Sequence, residues 1–356
     1  MDEADVLERL VAPYSPSGNE GPAVSVFVSL ARTLGYRARV DRVGNGVAER
    51  GRGRPNLLFL GHIDTVEGDR KVRRARGRVH GRGVVDAKGA IAAALWAGRG
   101  FAGPGTFRIV AAVGEETDSR GARHLLSGRK PDAVIVGEPS GWQGVTIGYK
   151  GELRLEATFR GRRTHYASPF PTATDRAVDW IDAIRAVVAA RQAESPFRSL
   201  SAKVIGFESR PGQDPESALV TVDVRLPPGL STRDAESLLS QAPGQPSFRV
   251  LSRVEPVEVP RTDPVVMALT SAVRGERGVP TLWRKSGTSD LNLVLPAWRV
   301  PGAAYGPGDA RLDHTDRESL SVAELRRAAA VLRAALRSLA RPESEAATPR
   351  RSAGGP

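Results

Sequence analysis

Asn56-Leu57-Leu58-Phe59-Leu60-Gly61-His62-Ile63-Asp64 is the stretch on which the fold turns. A short unbroken apolar run is what a strand buried on both faces of a parallel sheet requires, and here it ends at a glycine followed by His and Asp. Downstream, Thr106 to Val113 and Ala133 to Val136 repeat the texture. Between these runs lie helical patterns, Ala87 to Trp96 closing on Gly98 and Gly121 to Leu126. The order β-α-β-α-β predicts a parallel sheet flanked by helices, an α/β architecture. Upstream, Asp5 to Ala12 and Pro22 to Leu34 carry helical spacing, the second stopping at Gly35.

After Gly148 the pattern changes. Leu153 to Phe159 alternates apolar and polar, as a strand with one wet face does. A helix at Ala173 to Arg191 follows, then strands at Ser201 to Phe207 and Leu219 to Leu226, a helix at Thr232 to Ser240 and a strand at Phe248 to Val254. This β-α-β-β-α-β order predicts a ferredoxin-like α+β domain. Helix-strand texture resumes at Asp263, with a helix to Gly275, strands flanking Trp283 and Arg299, and a last helix from Ala323 to Leu339. The expected organisation is a main domain at 1–148 and 256–340, an inserted domain at 149–255, and a disordered tail at 341–356, rich in Pro, Ser, Ala and Gly.

The 356 residues are 40% hydrophobic and 26% charged, which excludes a fibrous or wholly disordered chain and leaves room for two cores. Apolar stretches such as Ala90 to Ala97 are too short to span a bilayer, and the acidic opening is unlike a secretory leader, so a cytoplasmic protein is expected. Without cysteine, any metal falls to His, Asp and Glu. Lys+Arg exceeds Asp+Glu by 52 − 40 = 12, with only six Lys among the cations. This balance favours acidic partners, or reflects an Arg-rich genome. No nucleic-acid-binding signature accompanies it, so neither nucleic acid nor membrane is expected as a partner.

In open parallel sheets ligands gather beyond the carboxyl ends of the strands. The first predicted strand runs into His62 and Asp64, the second into Glu115-Glu116, the third into Glu138, and Asp86 lies just ahead of a helix. So many acids at one edge repel unless cations sit among them. Two divalent ions bound by imidazole and carboxylate, in the manner of zinc, cobalt or manganese, meet that need, with Asp86 able to bridge them. Asp64, two residues past His62 on the same strand, projects to the same side and is placed to accept the other ring N–H of His62.

These segments, with Gly81-Arg82-Gly83-Val84-Val85-Asp86-Ala87-Lys88-Gly89, Val136-Gly137-Glu138-Pro139 and His314-Thr315-Asp316-Arg317-Glu318, resemble the co-catalytic di-zinc aminoacylase and carboxypeptidase family that includes acetylornithine deacetylase and succinyl-diaminopimelate desuccinylase. The resemblance implies a zinc-peptidase-like catalytic domain and an inserted lid or dimerisation domain. It implies Asp86 bridging two ions, His62 and Glu138 on one and Glu116 and His314 on the other. Glu115 would be the general base, Asp64 the orienting acid, and His165 a residue reaching the active site of a partner subunit in a homodimer. For the substrate it points to Arg225, Ser286, Gly287, Thr288 and Tyr305, with a plain surface role the alternative for Arg225. A family element, Asn followed closely by Ile-Pro, is missing; Gln213-Asp214-Pro215-Glu216 stands in its place.

Within the family, the compact length, the short Gly61 to Gly68 segment and Gly148-Tyr149-Lys150-Gly151 look most like hydrolases that release lysine or ornithine from the C-terminal glutamate of an acidic amino-group carrier protein. The seven Lys or Arg from Arg70 to Arg82, unrelieved by an acid, suit such a carrier or are simply solvated. The alternatives are a small-substrate N-acyl amino acid deacylase and a non-catalytic binding protein on the same fold.

Overall fold

The computed structural model describes residues 1–163, 165, 167–210 and 214–341. The reading of a disordered tail therefore lies, from residue 342 on, outside the described residues. The chain divides into two compact units, one of Met1–Ile147, Val259–Trp283 and Val294 onward, the other of Gly148–Glu258 and Arg284–Leu293. The second thus takes in Arg284–Leu293, which the sequence reading assigned to the main domain. Its backbone accounts for this: Lys150 donates to the Lys285 carbonyl at 3.1 Å, and Asn292 donates to the carbonyls of Lys150 and Glu255.

In the first unit the sheet runs in the order Arg37–Val40, Gly46–Arg52, Gly105–Ala112, Asn56–His62, Ala133–Gly137, Gly302–Ala304, Gly144–Tyr149. Asn56–His62 is buried throughout and pairs in parallel with both neighbours, Gly61 facing Ala111 on one side and Gly137 on the other. The helices Lys88–Gly98, Val322–Leu339, Pro264–Gly275 and Gly21–Thr33 supply the apolar cover a parallel sheet needs, through residues such as Ile91, Leu325, Leu332, Leu269 and Phe27. The antiparallel pair Arg37–Val40 and Gly46–Arg52 at the edge carries too many arginines to have read as strand.

Asp290–Trp298 is a helix, where the sequence reading expected a strand near Arg299; the next strand begins only at Gly302. The run Leu291-Asn292-Leu293-Val294-Leu295 suits either structure. The decision comes from its start, where the Ser289 N–H donates to Asn292 Oδ1 and the Leu291 N–H to Ser289 Oγ.

The second unit has a four-stranded antiparallel sheet in the order Ser201–Arg210, Glu216–Leu226, Gly151–Gly161, Ser247–Val254, with helices Ala173–Ala189 and Thr232–Ser240, the ferredoxin-like arrangement. Its core alternates along the strands (Leu153, Leu155, Ala157, Phe159; Val220, Val222, Val224) around Trp180, whose ring meets Phe159 edge-on at 5.7 Å. Among the described residues no helix is long and apolar enough to cross a membrane.

Candidate metal centre and active site

His62, Glu115 with Glu116, and Glu138 lie at the carboxyl ends of three neighbouring parallel strands of the first unit, and Asp86 and His314 come from connecting segments. His62 is the last residue of its strand and pairs with Ala112. Glu138 follows the Gly137 that faces Gly61, so it continues the register beside His62, and it is buried. Glu115 and Glu116 lie in the turn after Gly105–Ala112, and Asp86 lies two residues before the helix Lys88–Gly98. His314 follows a short 3₁₀ turn and has φ 61°, a left-handed conformation uncommon outside glycine.

These residues converge. Asp86 Oδ1 lies 3.0 Å from His62 Nε2 and its Oδ2 3.1 Å from His314 Nε2, so one carboxylate spans two imidazoles. His314 Nε2 is also 3.0 Å from Glu116 Oε1. One ligand atom each from His62, Asp86 and Glu116 falls within 4.8 Å of the others. Burial alone would depress His62, but the carboxylates of Asp64 and Asp86 outweigh it and hold the imidazole well above its ordinary value. Contacts with Asp86 and Glu116 lift His314 to about 10. Burial would raise Asp86, yet the two imidazoles bring it well below the usual carboxylate range. Protons on the histidines thus balance the acids, which is the charge a divalent cation supplies in their place. The nitrogen and oxygen donors, with no sulfur, suit zinc, cobalt or manganese.

That exchange has a measurable consequence. A raised folded-state pKa stabilises below the unfolded value and loses that contribution as pH climbs through the folded one. Chelator-treated protein is therefore expected to lose stability as pH rises from 6.5 to about 10, by an amount limited by the half-exposure of His314. Metal uptake near neutral pH is expected to release protons, seen by titration calorimetry in buffers of different ionisation enthalpy.

Asp64 differs in detail from expectation. The Nδ1 of His62 lies 3.1 Å from the backbone carbonyl of Asp64 and 3.6 Å from its carboxylate, so the carbonyl accepts the ring N–H. The wholly buried carboxylate instead accepts the backbone N–H groups of Glu115 and Glu116, both at 3.1 Å, and the Ser17 hydroxyl at 2.7 Å. Asp64 orients the two glutamates directly and the histidine through its main chain.

Three supporting residues carried no assignment from sequence: Ser17, Arg82 and Glu318. Glu318 accepts the N–H groups of Val85 and Asp86 and pairs with Arg82 at 3.2 Å, both buried. Arg82 also donates to the carbonyls of Gly68 and Thr315, tying the Asp86 turn to the His314 loop. A buried pair joining segments 236 residues apart leaves no local sequence signal.

Tyr305, expected at the substrate, is fully buried and donates its hydroxyl to the Trp142 carbonyl. The contact with the site comes from Gly306, where any Cβ would lie 2.8 Å from the Glu138 carbonyl oxygen and from Ala90 Cβ. His165, Arg225, Ser286, Gly287 and Thr288 belong to the second unit. His165, Ser286 and Gly287 are exposed and Thr288 half-buried. Arg225 is held by Asp223 and Glu152, both at 2.7 Å, in a network that includes Arg154.

The sequence model of Peptidase family M20/M25/M40 matches residues 58–338, a span that contains His62, Asp64, Asp86, Glu115, Glu116, Glu138 and His314. The chain belongs to this family. Among M20-family relatives, it is 36% identical over 345 residues to a [LysW]-lysine hydrolase of Deinococcus radiodurans, covering 93% of this chain and 95% of the relative. A [LysW]-lysine/[LysW]-ornithine hydrolase of Sulfurisphaera tokodaii is 26% identical, with 90% and 91% covered. The M20 fold is also that of an aminopeptidase from Bacillus cereus (TM-score 0.80, 18% identity, 95% and 98% covered). An M20 family metallo-carboxypeptidase from Sulfolobus solfataricus superposes at TM-score 0.76 with 17% identity, covering 96% and 100%.

Proposed function

We propose that this M20-family chain is a metal-dependent amidohydrolase that releases lysine or ornithine from the C-terminal glutamate of an acidic amino-group carrier protein. The observation that carries the chemistry is Asp86 spanning His62 and His314 beside Glu116, with Glu115 on the adjoining residue. The substrate is supported by similarity to a [LysW]-lysine hydrolase and a [LysW]-lysine/[LysW]-ornithine hydrolase over at least 90% of both chains.

Two ions, zinc or cobalt, would be held by His62, Asp86, Glu116, Glu138 and His314, and when bound they acidify water and polarise the amide carbonyl. Glu115 takes a proton from the attacking water and returns it to the nitrogen as the C–N bond breaks. The glutamate side chain regains its carboxylate and the amino acid leaves with a free amine. From the second subunit of a homodimer His165 would donate to the developing oxyanion, and Arg225, Ser286, Gly287, Thr288 and Tyr305 would meet the substrate.

A homodimer is supported by Ser201–Arg210, the outer strand of its sheet, which exposes Val204, Ile205 and Phe207. An apolar strand edge of this kind is a template for pairing with a second copy. The cytoplasm fits a cysteine-free biosynthetic enzyme. The reading is tested by a hydrolysis panel of carrier-linked lysine, carrier-linked ornithine, N-acetylornithine and N-succinyl-diaminopimelate. Turnover of the carrier-linked pair is expected; turnover of the small substrates alone would overturn it.

The carrier would meet the basic hairpin Arg73–Ala75 and Arg78–His80. Its charges are not equivalent. Arg74 faces Asp2, Asp5 and Glu8 at 3.4 to 3.7 Å, Arg70 pairs with Asp316, and Arg78 donates to Ser319. Lys71, Arg73 and Arg76 are exposed with no carboxylate partner among the described residues. Reversing these three charges is expected to lower kcat/KM for the carrier-linked substrate roughly tenfold or more at low salt, leaving small N-acyl substrates nearly unchanged. Equal losses on both would contradict docking here.

A further inference from the structure

We propose that Ser17 is a positioning residue of the metal centre, setting the backbone of Glu115 and Glu116 through the carboxylate of Asp64. The inference rests on the reading of Glu116 as a ligand and Glu115 as the base, and goes beyond it by assigning a role to the loop at residues 14–20.

That loop runs beside the segment that follows the strand Asn56–His62. Ser15 Oγ donates to the Ile63 carbonyl at 2.8 Å, the Thr65 N–H to the Ser15 carbonyl at 2.9 Å, and the Ser17 N–H to the Thr65 carbonyl at 3.3 Å. These bonds place Ser17 Oγ 2.7 Å from Asp64 Oδ2, the oxygen that also accepts the Glu116 N–H; Oδ1 takes the Glu115 N–H. The carboxylate has no solvent exposure, so these donors replace its water. Of its hydrogen-bond donors among the described residues, two are backbone N–H groups and Ser17 supplies a side-chain hydroxyl, which can be removed without altering the main chain.

The other end of the loop is anchored to the glutamate turn. Glu20 accepts the Gly18 N–H at 2.9 Å and receives Arg120 Nη2 at 2.7 and 2.8 Å. Arg120 begins the helix that follows Glu116. The loop thus spans the two strand ends that carry His62 and the glutamate pair. A hydroxyl suits the position because it satisfies a buried carboxylate without adding positive charge beside a cation site; a Lys or Arg there would compete with the ion.

The test compares Ser17→Ala and Ser17→Thr with the parent protein after metal removal. Zinc affinity is read by competition with a chromophoric chelator, folding by the melting temperature of the metal-free protein, and catalysis by kcat and KM on carrier-linked lysine. Ser17→Ala is expected to weaken zinc binding roughly tenfold and to lower kcat similarly with KM nearly unchanged, as loss of an outer partner of a metal site does, while Ser17→Thr restores both. The metal-free melting temperature should fall only slightly, since the Glu115 and Glu116 N–H groups still satisfy the carboxylate, and by the same amount whether or not zinc affinity is lost. Unchanged zinc affinity, failure of threonine to restore it, or a loss that merely tracks a lower metal-free melting temperature would overturn the role. If the parent itself releases no lysine from the carrier, the substrate reading fails while the zinc titration still decides the question of Ser17.

Discussion

Glu115→Gln is expected to lower kcat by roughly 10²- to 10⁴-fold, the range general acid-base groups contribute, with metal content unchanged. The substitution keeps the side-chain shape and the backbone N–H that Asp64 accepts at 3.1 Å, so Glu116, the proposed ligand, is expected to stay in place. What it removes is a carboxylate able to take a proton from water and give it to the leaving amine. Steady-state kinetics with metal analysis on the same preparation checks this. A kcat within a few-fold of the parent at full loading would assign the base elsewhere.

Asp86→Ala is expected to abolish metal retention and activity together. Its two oxygens lie 3.0 and 3.1 Å from the two histidines, so its loss uncouples both halves of the centre at once. The expected fall in affinity exceeds the roughly 10- to 100-fold that loss of an outer partner costs. Elemental analysis after dialysis reads it directly. With Asp86 gone, His62 and His314 lose a carboxylate that raises them, so in the metal-free variant they should titrate nearer their ordinary value, 6.5, which NMR of the imidazole protons reads. A variant retaining a full metal complement would contradict the bridging position.

The parallel core was legible because both faces of Asn56–His62 are covered, which forces a continuous apolar run, and because its carboxyl end leads straight into His62. Glu115, Glu116 and Glu138 were legible for the same reason, each following a buried strand. His314 was reached only through family resemblance, since no periodicity links it to Glu116, 198 residues away. Asp64 shows a finer limit. Strand alternation indicates which side a carboxylate takes, but the choice between its carbonyl and carboxylate as partner of His62 depends on competing donors from Ser17 and the glutamate turn. Ser17, Arg82 and Glu318 act across large sequence separations, and their types are common on any surface. The helix Asp290–Trp298 escaped because its apolar run suits strand equally and only the hydrogen bonds at Ser289 select helix.

The most direct test strips the protein with a chelator and follows lysine release from the carrier-linked substrate during metal add-back. Activity should vanish on stripping and return with about two equivalents of zinc or cobalt per chain. Undiminished hydrolysis by the stripped protein, or no release of lysine by the fully loaded one, would contradict the account.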